Sequence, residues 1–221
     1  MRTRLSVLIA CTTVVIGMLA FAPSASAVAC NFQNAMSGNW NVDTNWDCGV
    51  VPGATDTVTI DGGETVTVTG AQSAQSITIP NGNIAFSGGS VTAGSASIST
   101  SNMTGPSSLT GFTVTGATAK TTSGTWLVRG GPHVVLGGAV THSGGQLCID
   151  DVFGTGNDPV VDANSTYTMS GDASIACSSN LGAAGFRVNA PNGQLVIADD
   201  TTISTPIENA DTVSEIGRAH V

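Results

Sequence analysis

LVRGGPHVVLGGAVTHSGGQLCI runs from Leu127 to Ile149. Glycine pairs begin at Gly130, Gly137 and Gly144, seven residues apart each time. Each pair can supply positive φ for a tight corner, and a strand of about four residues fits between corners. Three such sides make a turn of twenty-one residues. The apolar doublets around this stretch repeat at nearly the same interval. Trp126/Val128, Leu147/Ile149, Tyr167/Met169 and Phe186/Val188 are offset by 21, 20 and 19. Ile175 and Leu195 are offset by 20, as are Ile77 and Ser97, the latter beside Ile98.

Upstream, short alternations of β-branched residues recur: VTI at 58–60, VTV at 66–68, ITI at 77–79 and FTV at 112–114. Period-two spacing of this kind marks strands with one buried face. A repeat near twenty predicts a solenoid of coiled strands, each coil stacked on the last at the ~4.8 Å strand spacing. The fold expected is therefore all-β: a right-handed parallel β-helix of about 20 residues per coil. The competing fold is an antiparallel β-sandwich, whose strands also recur at short intervals but give no reason for a constant offset.

The chain begins MRTRLSVLIACTTVVIGMLAFAPSASA, with Arg2 and Arg4, an apolar body from Leu5 to Phe21, and Ala25-Ser26-Ala27. This pattern predicts a secretory signal peptide over 1–27 and a secreted or cell-surface location. A membrane anchor and a lipid-modified Cys30 are the rival readings; Ala27 stands where a lipoprotein signal carries Leu. At the other end, EIGRAHV (Glu215 to Val221) lacks the Thr/Gly/Val character before it and reads as a translated sequencing adapter. The β-helix is accordingly expected over 58–214, cut short, with a cap over 28–57.

Charge narrows the partners. Four cations follow residue 27 (Lys120, Arg129, Arg187, Arg218) against all fifteen acids, a balance of −11. Nucleic acid and anionic membranes need a basic footprint that is missing here, and acidic polysaccharides are disfavoured as tight ligands. Only 10% of residues are charged, so Ser, Thr, Asn and Gly must supply most of the polar surface. Beyond the signal the chain holds Cys30, Cys48, Cys148 and Cys177, an even count that reads as disulfides in an exported protein. Sequence order favours Cys30–Cys48 and Cys148–Cys177. The second pairing is in doubt on strand parity, because Cys148 lies between Leu147 and Ile149 and should face away from them.

The segment GNWNVDTNWDCGVVPGATDTVTI, Gly38 to Ile60, contains Trp40 and Trp46. An open stack end exposes unpaired backbone and core side chains, which natural proteins cover. Two large indoles tied down by Cys30–Cys48 suit a lid on the first coil; a sugar-stacking platform is the other reading. The opening N-W-x(5)-W-D-C-G-V-V-P-G-A-T-D-T-V-T-I resembles the start of bacterial secreted β-strand-repeat proteins. These are right-handed parallel β-helix surface proteins similar to autotransporter passengers and adhesins. A looser similarity is to an eight-glycine extracellular domain. The resemblance covers about Gly38 to Val68; it implies fold and a surface-associated life, and it carries over no catalytic residue.

Chemistry is thinly signalled. Candidate acids are Asp150, Asp151, Asp158, Asp162, Asp172, Asp199 and Asp200, with Asp150 and Asp172 placed to stack on neighbouring coils. Candidate bases are few: Lys120, with no acid near in sequence, and Arg129 and Arg187, close to three coils apart. Gly154-Thr155-Gly156-Asn157-Asp158 is a lone, imperfect copy of the calcium-binding nonapeptide, which needs stacked copies. His133 and His142, nine apart, fall on different sides of a coil. Asn102 and Asn164 head acceptor sequons, and no G-x-S-x-G elbow is present. No catalytic, metal or cofactor residue is assigned. The function expected is a structural or adhesive surface role with weak contacts to extracellular glycans or matrix, and self-association through an uncapped end. The alternative is a carbohydrate-active enzyme, a polysaccharide lyase or hydrolase, with its site partly missing.

Overall fold

The computed structural model describes residues 26–33, 36–105, 111–150, 160–176, 185–189, 193–198, 201–204, 207–208 and 212–216. Every strand pairing among them is parallel, and the sheet winds into a three-sided coil, a parallel β-helix. The one antiparallel bridge, Phe32 to Trp46, lies in the cap. A sandwich is thereby excluded, since its sheets are built from hairpins.

Face one comprises Ala29–Asn31, Thr57–Thr59, Thr118–Lys120, Val140–His142, Thr166–Met169, Gln194–Ala198 and Thr212–Ile216. Face two comprises Ser37–Asn39, Thr65–Val68, Thr125–Arg129, Gly145–Asp150, Ala173–Ile175 and Thr202–Ile203. Face three comprises Gly111–Val114, His133–Leu136, Val160–Ala163, Gly185–Val188 and Ile207–Glu208. Two long strands, Ala71–Phe86 and Ser90–Thr104, each pass through faces three, one and two in turn. Residues 40–56 take the place of face three in the first coil. The face-one ladder continues to Ile216, two residues into the segment set aside as an adapter scar.

Alternation decides which side chains go inward. Thr65–Val68 and His133–Leu136 alternate between half-buried and buried, so Val66, Val68, Val134 and Leu136 line the interior. Each such aliphatic burial contributes about 1.5–3 kcal/mol before chain entropy is subtracted. Each coil packs only on its neighbours, so these contributions couple locally along the stack.

Coil length is less constant than the sequence repeat implies. Along face one the step is 19 residues from Val58 to Ile77 and on to Ala96, then 22 to Thr118 and to Val140. It then grows to 27 to Tyr167 and 28 to Leu195. Leu147 and Ile149 do stand on Trp126 and Val128. Tyr167 and Met169, however, stand on Val140 and His142, not on Leu147 and Ile149. Phe186 and Val188 stand on Val161 and Ala163, and Leu195 on Tyr167 rather than Ile175. Ile77 pairs with Ala96, one residue short of Ser97. The cause is extra chain between Asp150 and Val160 and between Ile175 and Gly185, where face two leads to face three. Past that point an offset of twenty lands on a different face, whose apolar doublet looks the same in hydropathy.

The glycine pairs play two different parts. Gly130, Gly131 and Gly145 have φ of 86°, 137° and 72°, the left-handed region that favours glycine. Gly138 does not: it lies against the coil below, where a Cβ would come 2.3 Å from the carbonyl carbon and oxygen of Gly116. Gly116 lies in the same way on Gly94, at 2.4 Å from its oxygen. Twenty-two residues separate each member of this glycine column, so the corner is set by close approach rather than by turn conformation.

Candidate functional site

The cap is assembled by the residues singled out in sequence. Cys30 and Cys48 form a disulfide with Cα atoms 5.0 Å apart. Trp40 and Trp46 are fully buried and meet edge to face at 5.0 Å, and Phe32 packs edge-on against Trp46 at 5.2 Å. The Trp46 Nε1–H donates to the Trp40 carbonyl at 2.8 Å. Carboxylates fasten the rim. Asp56 accepts from the Val28 and Gly53 amides at 3.0 and 2.8 Å, and Asp47 accepts from the Asn31 amide and side chain at 2.6 Å each. The Asn31 hydrogen bonds hold the Asp47 carboxyl below its ordinary range. With no indole face exposed, neither tryptophan can stack on a sugar. Cys148 is disulfide-bonded; Cys177 lies outside the described residues.

The outward side of face one is an uncharged polar lattice. Thr59, Thr78, Ser97, Ala119, Thr141 and Thr168 follow one another in register over six coils. A second rank beside it starts with Thr57, Ser76 and Ser95. Successive members are ~4.8 Å apart, the spacing of hydrogen-bonded strands.

The inward side of face one contains an unexpected column. Lys120 and His142 are adjacent in register and wholly buried, and Tyr167 is buried one coil further on. The Lys120 ammonium donates to the carbonyls of Thr122 at 2.7 Å and Gly144 at 3.2 Å. The His142 Nε2–H donates to the Gly145 carbonyl at 3.0 Å, and Nδ1 accepts from the Tyr167 hydroxyl at 3.0 Å. The Lys120 ammonium and the neutral His142 imidazole therefore both donate to carbonyls of the corner between faces one and two. Burial lowers the Lys120 pKa to about 8. Burial, joined by the nearby Lys120 charge, lowers His142 to about 4, and burial raises the Tyr167 phenol well above its ordinary range. The signal for this column was available in sequence: Lys120 shares the inward parity of Thr118, and His142 that of Val140.

Charged groups on the outer surface gather where face two turns into face three. Arg129, at the end of its strand, pairs with Asp150 on the next coil at 3.1 Å. His133, just past the corner, pairs with Asp162 on the next coil through Nε2 at 2.5 Å. Arg187 stands beside Asp162 in register one coil further on. Burial pushes the Asp162 carboxyl up, but hydrogen bonds from His133 and Asn189 and the charges of His133 and Arg187 outweigh it, so its pKa lies below the ordinary value. The Asn189 amide also donates to Asn164 at 2.8 Å.

This placement alters two sequence expectations. Asp150 does not stack with Asp172; its register partner is Arg129, because that side of the coil advances 28 residues, from Leu147 to Ile175. Asp172 is exposed in the turn before Ala173. Arg129 and Arg187, read as close to three coils apart, each stand against an acid from a neighbouring coil. His133 and His142 do lie on different faces. Asp151, Asp158, Asp199, Asp200 and the segment 154–158 lie outside the described residues. No group of three metal-ligating side chains occurs among the described residues, and none of their helices is long and apolar enough to cross a membrane. No family model, no curated protein and no solved structure matches this chain.

Proposed function

We propose that the chain is an exported bacterial surface protein, a β-helical structural or adhesive module that contacts extracellular glycans or matrix weakly and multivalently. The observation that carries this reading is the in-register rank Thr59, Thr78, Ser97, Ala119, Thr141 and Thr168 on face one, a hydroxyl on every coil but that of Ala119. Such a lattice offers repeated hydroxyl donors and acceptors without a pocket, and the chain's acidity disfavours anionic partners. Affinity per contact is then small and grows through repetition on a surface. The signal-like N-terminus and the resemblance of the Trp40–Ile60 opening support export and a surface location. Self-association through an uncapped end belongs to the same proposal.

The test uses beads coated with the exported chain and surfaces coated with neutral glycans or matrix proteins. Attachment is expected to rise steeply with coating density and to fall when Thr78→Lys and Thr141→Lys interrupt the rank. Beads that fail to attach at any density defeat the reading.

A second reading, a polysaccharide lyase or hydrolase, is favoured by one observation, the two carboxylate pairs Asp150–Arg129 and Asp162–His133 at a single corner. Release of reducing ends or unsaturated products from a polysaccharide panel would support it. A panel left uncut would remove it.

A further inference from the structure

Beyond the hydroxyl lattice, we propose that the corner between faces two and three is a discrete binding site for a neutral, hydroxyl-rich saccharide, with Arg129 and His133 as its contacting side chains. The inference rests on the glycan-contact reading above and assigns that contact to a place and a ligand class.

Arg129 and His133 flank the corner as the same device used twice. Each is a planar nitrogen-bearing side chain on one coil clamped by a carboxylate on the next: Arg129 by Asp150 and His133 by Asp162. In both pairs the carboxylate is nearly covered, with side-chain exposures of 6% and 13%, while the nitrogen-bearing partner stays open at 37% and 40%. The acids thus act as holders, and what faces solvent is one planar guanidinium and one planar imidazole. The chain between them is Gly130, Gly131 and buried Pro132, none of which carries a long side chain. Four residues span at most ~13 Å, the scale of a few sugar rings.

The chemistry of the exposed edges selects the ligand. The guanidinium has N–H donors to spare beyond the one bonded to Asp150, and they suit hydroxyl oxygens. With Nε2 bonded to Asp162, Nδ1 is the His133 nitrogen left for a sugar hydroxyl. Both planar groups can also lie flat against the C–H face of a sugar. Because the clamps already hold the two side chains, little rotamer freedom remains to be lost on binding. Electrostatics argues against an acidic saccharide: Asp150 stands against Arg129, Asp162 lies between His133 and Arg187, and the chain as a whole is at −9.

The experiment titrates the exported chain with cellotetraose, xylotetraose, mannotetraose and chitotetraose, and with tetragalacturonate as the acidic arm, by calorimetry and by the ring signals of His133 in NMR. Saturable binding of a neutral tetrasaccharide that shifts the His133 signals is expected. It should weaken at least tenfold in Arg129→Gln and His133→Gln. Both side chains are more than a third exposed, and the unaltered protein's His133 signals give a readout even if a variant folds poorly. The inference is overturned if no neutral tetrasaccharide binds, if tetragalacturonate binds more tightly, or if Thr141→Lys on face one abolishes binding while the corner variants do not. In each of those cases density-dependent bead attachment would leave the broader adhesive reading standing.

Discussion

Gly138 rests on Gly116 so closely that a methyl group on Gly138 would sit 2.3 Å from the carbonyl atoms of its neighbour. No adjustment of a flexible side chain relieves that contact, because the obstructing atoms are backbone. Gly138→Ala is therefore expected to push adjacent coils apart and cost roughly 1–3 kcal/mol, the range for overpacking a tight site. Gly144 is the internal control. A Cβ there meets nothing nearer than 3.6 Å and its φ is not positive, so Gly144→Ala should leave the thermal midpoint nearly unchanged. Equal effects of the two substitutions would refute the close-approach account of the corner.

Breaking the Cys30–Cys48 disulfide frees a loop of 18 residues that contains both buried indoles. Loop-closure entropy predicts a loss of about 3 kcal/mol in Cys30→Ser/Cys48→Ser. Denaturant unfolding followed by tryptophan fluorescence measures it. The cap signal from Trp40 and Trp46 should be lost before that of Trp126, since coils couple only to their neighbours. A single coincident transition would show that the cap and the stack unfold as one.

His142 couples stability to acidity. Its pKa is about 4 folded and 6.5 in the unfolded chain, so the unfolded state binds more protons between these values. The stabilisation is complete above pH 6.5 and is lost as pH falls towards 4, by at most ~3 kcal/mol. Asp47 and Asp162, whose carboxyls are also lowered, add losses in the same direction at lower pH. The His142→Gln variant should flatten the pH 4–6.5 part of the profile and leave the part below it. An unchanged slope in that variant would exclude His142 as the cause.

Lys120 predicts a slope on the alkaline side. With a folded pKa of about 8 against 10.5 unfolded, burial of the charge is fully unfavourable below pH 8 and is relieved as pH rises to 10.5. Stability of the unaltered protein should climb through that window, and the climb should be absent in Lys120→Met. Chemical denaturation at pH 7, 8, 9 and 10 decides it.

The coil from Trp126 to Ile149 was legible because its corners are short and glycine-marked, so register and sequence interval coincide. Downstream the same rule misassigned Tyr167, Phe186 and Leu195, since extra chain at one corner changes the interval without altering the hydropathy of any strand. The cap was readable for a similar reason: Cys30, Cys48 and the two indoles lie close in sequence, and their association needs little loop closure. The charged corner was not. Asp150 and Arg129 are 21 residues apart and His133 and Asp162 are 29 apart, and only the stacking order of the coils says which acid meets which partner.

By itself, then, the order of amino acids determined the class of structure, through period-two alternation that buries one side of each strand and glycines that permit its corners. It also determined the pairing of Cys30 with Cys48 and the acidic, hydroxyl-rich character of the surface. Only the tertiary structure decided which residues lie one above another, that Lys120, His142 and Tyr167 share the interior, and that Arg129 and His133 stand together outside. Alternation is a local property of the chain. Register depends on the length of every corner before it, and a few added residues move each later side chain to a new neighbour.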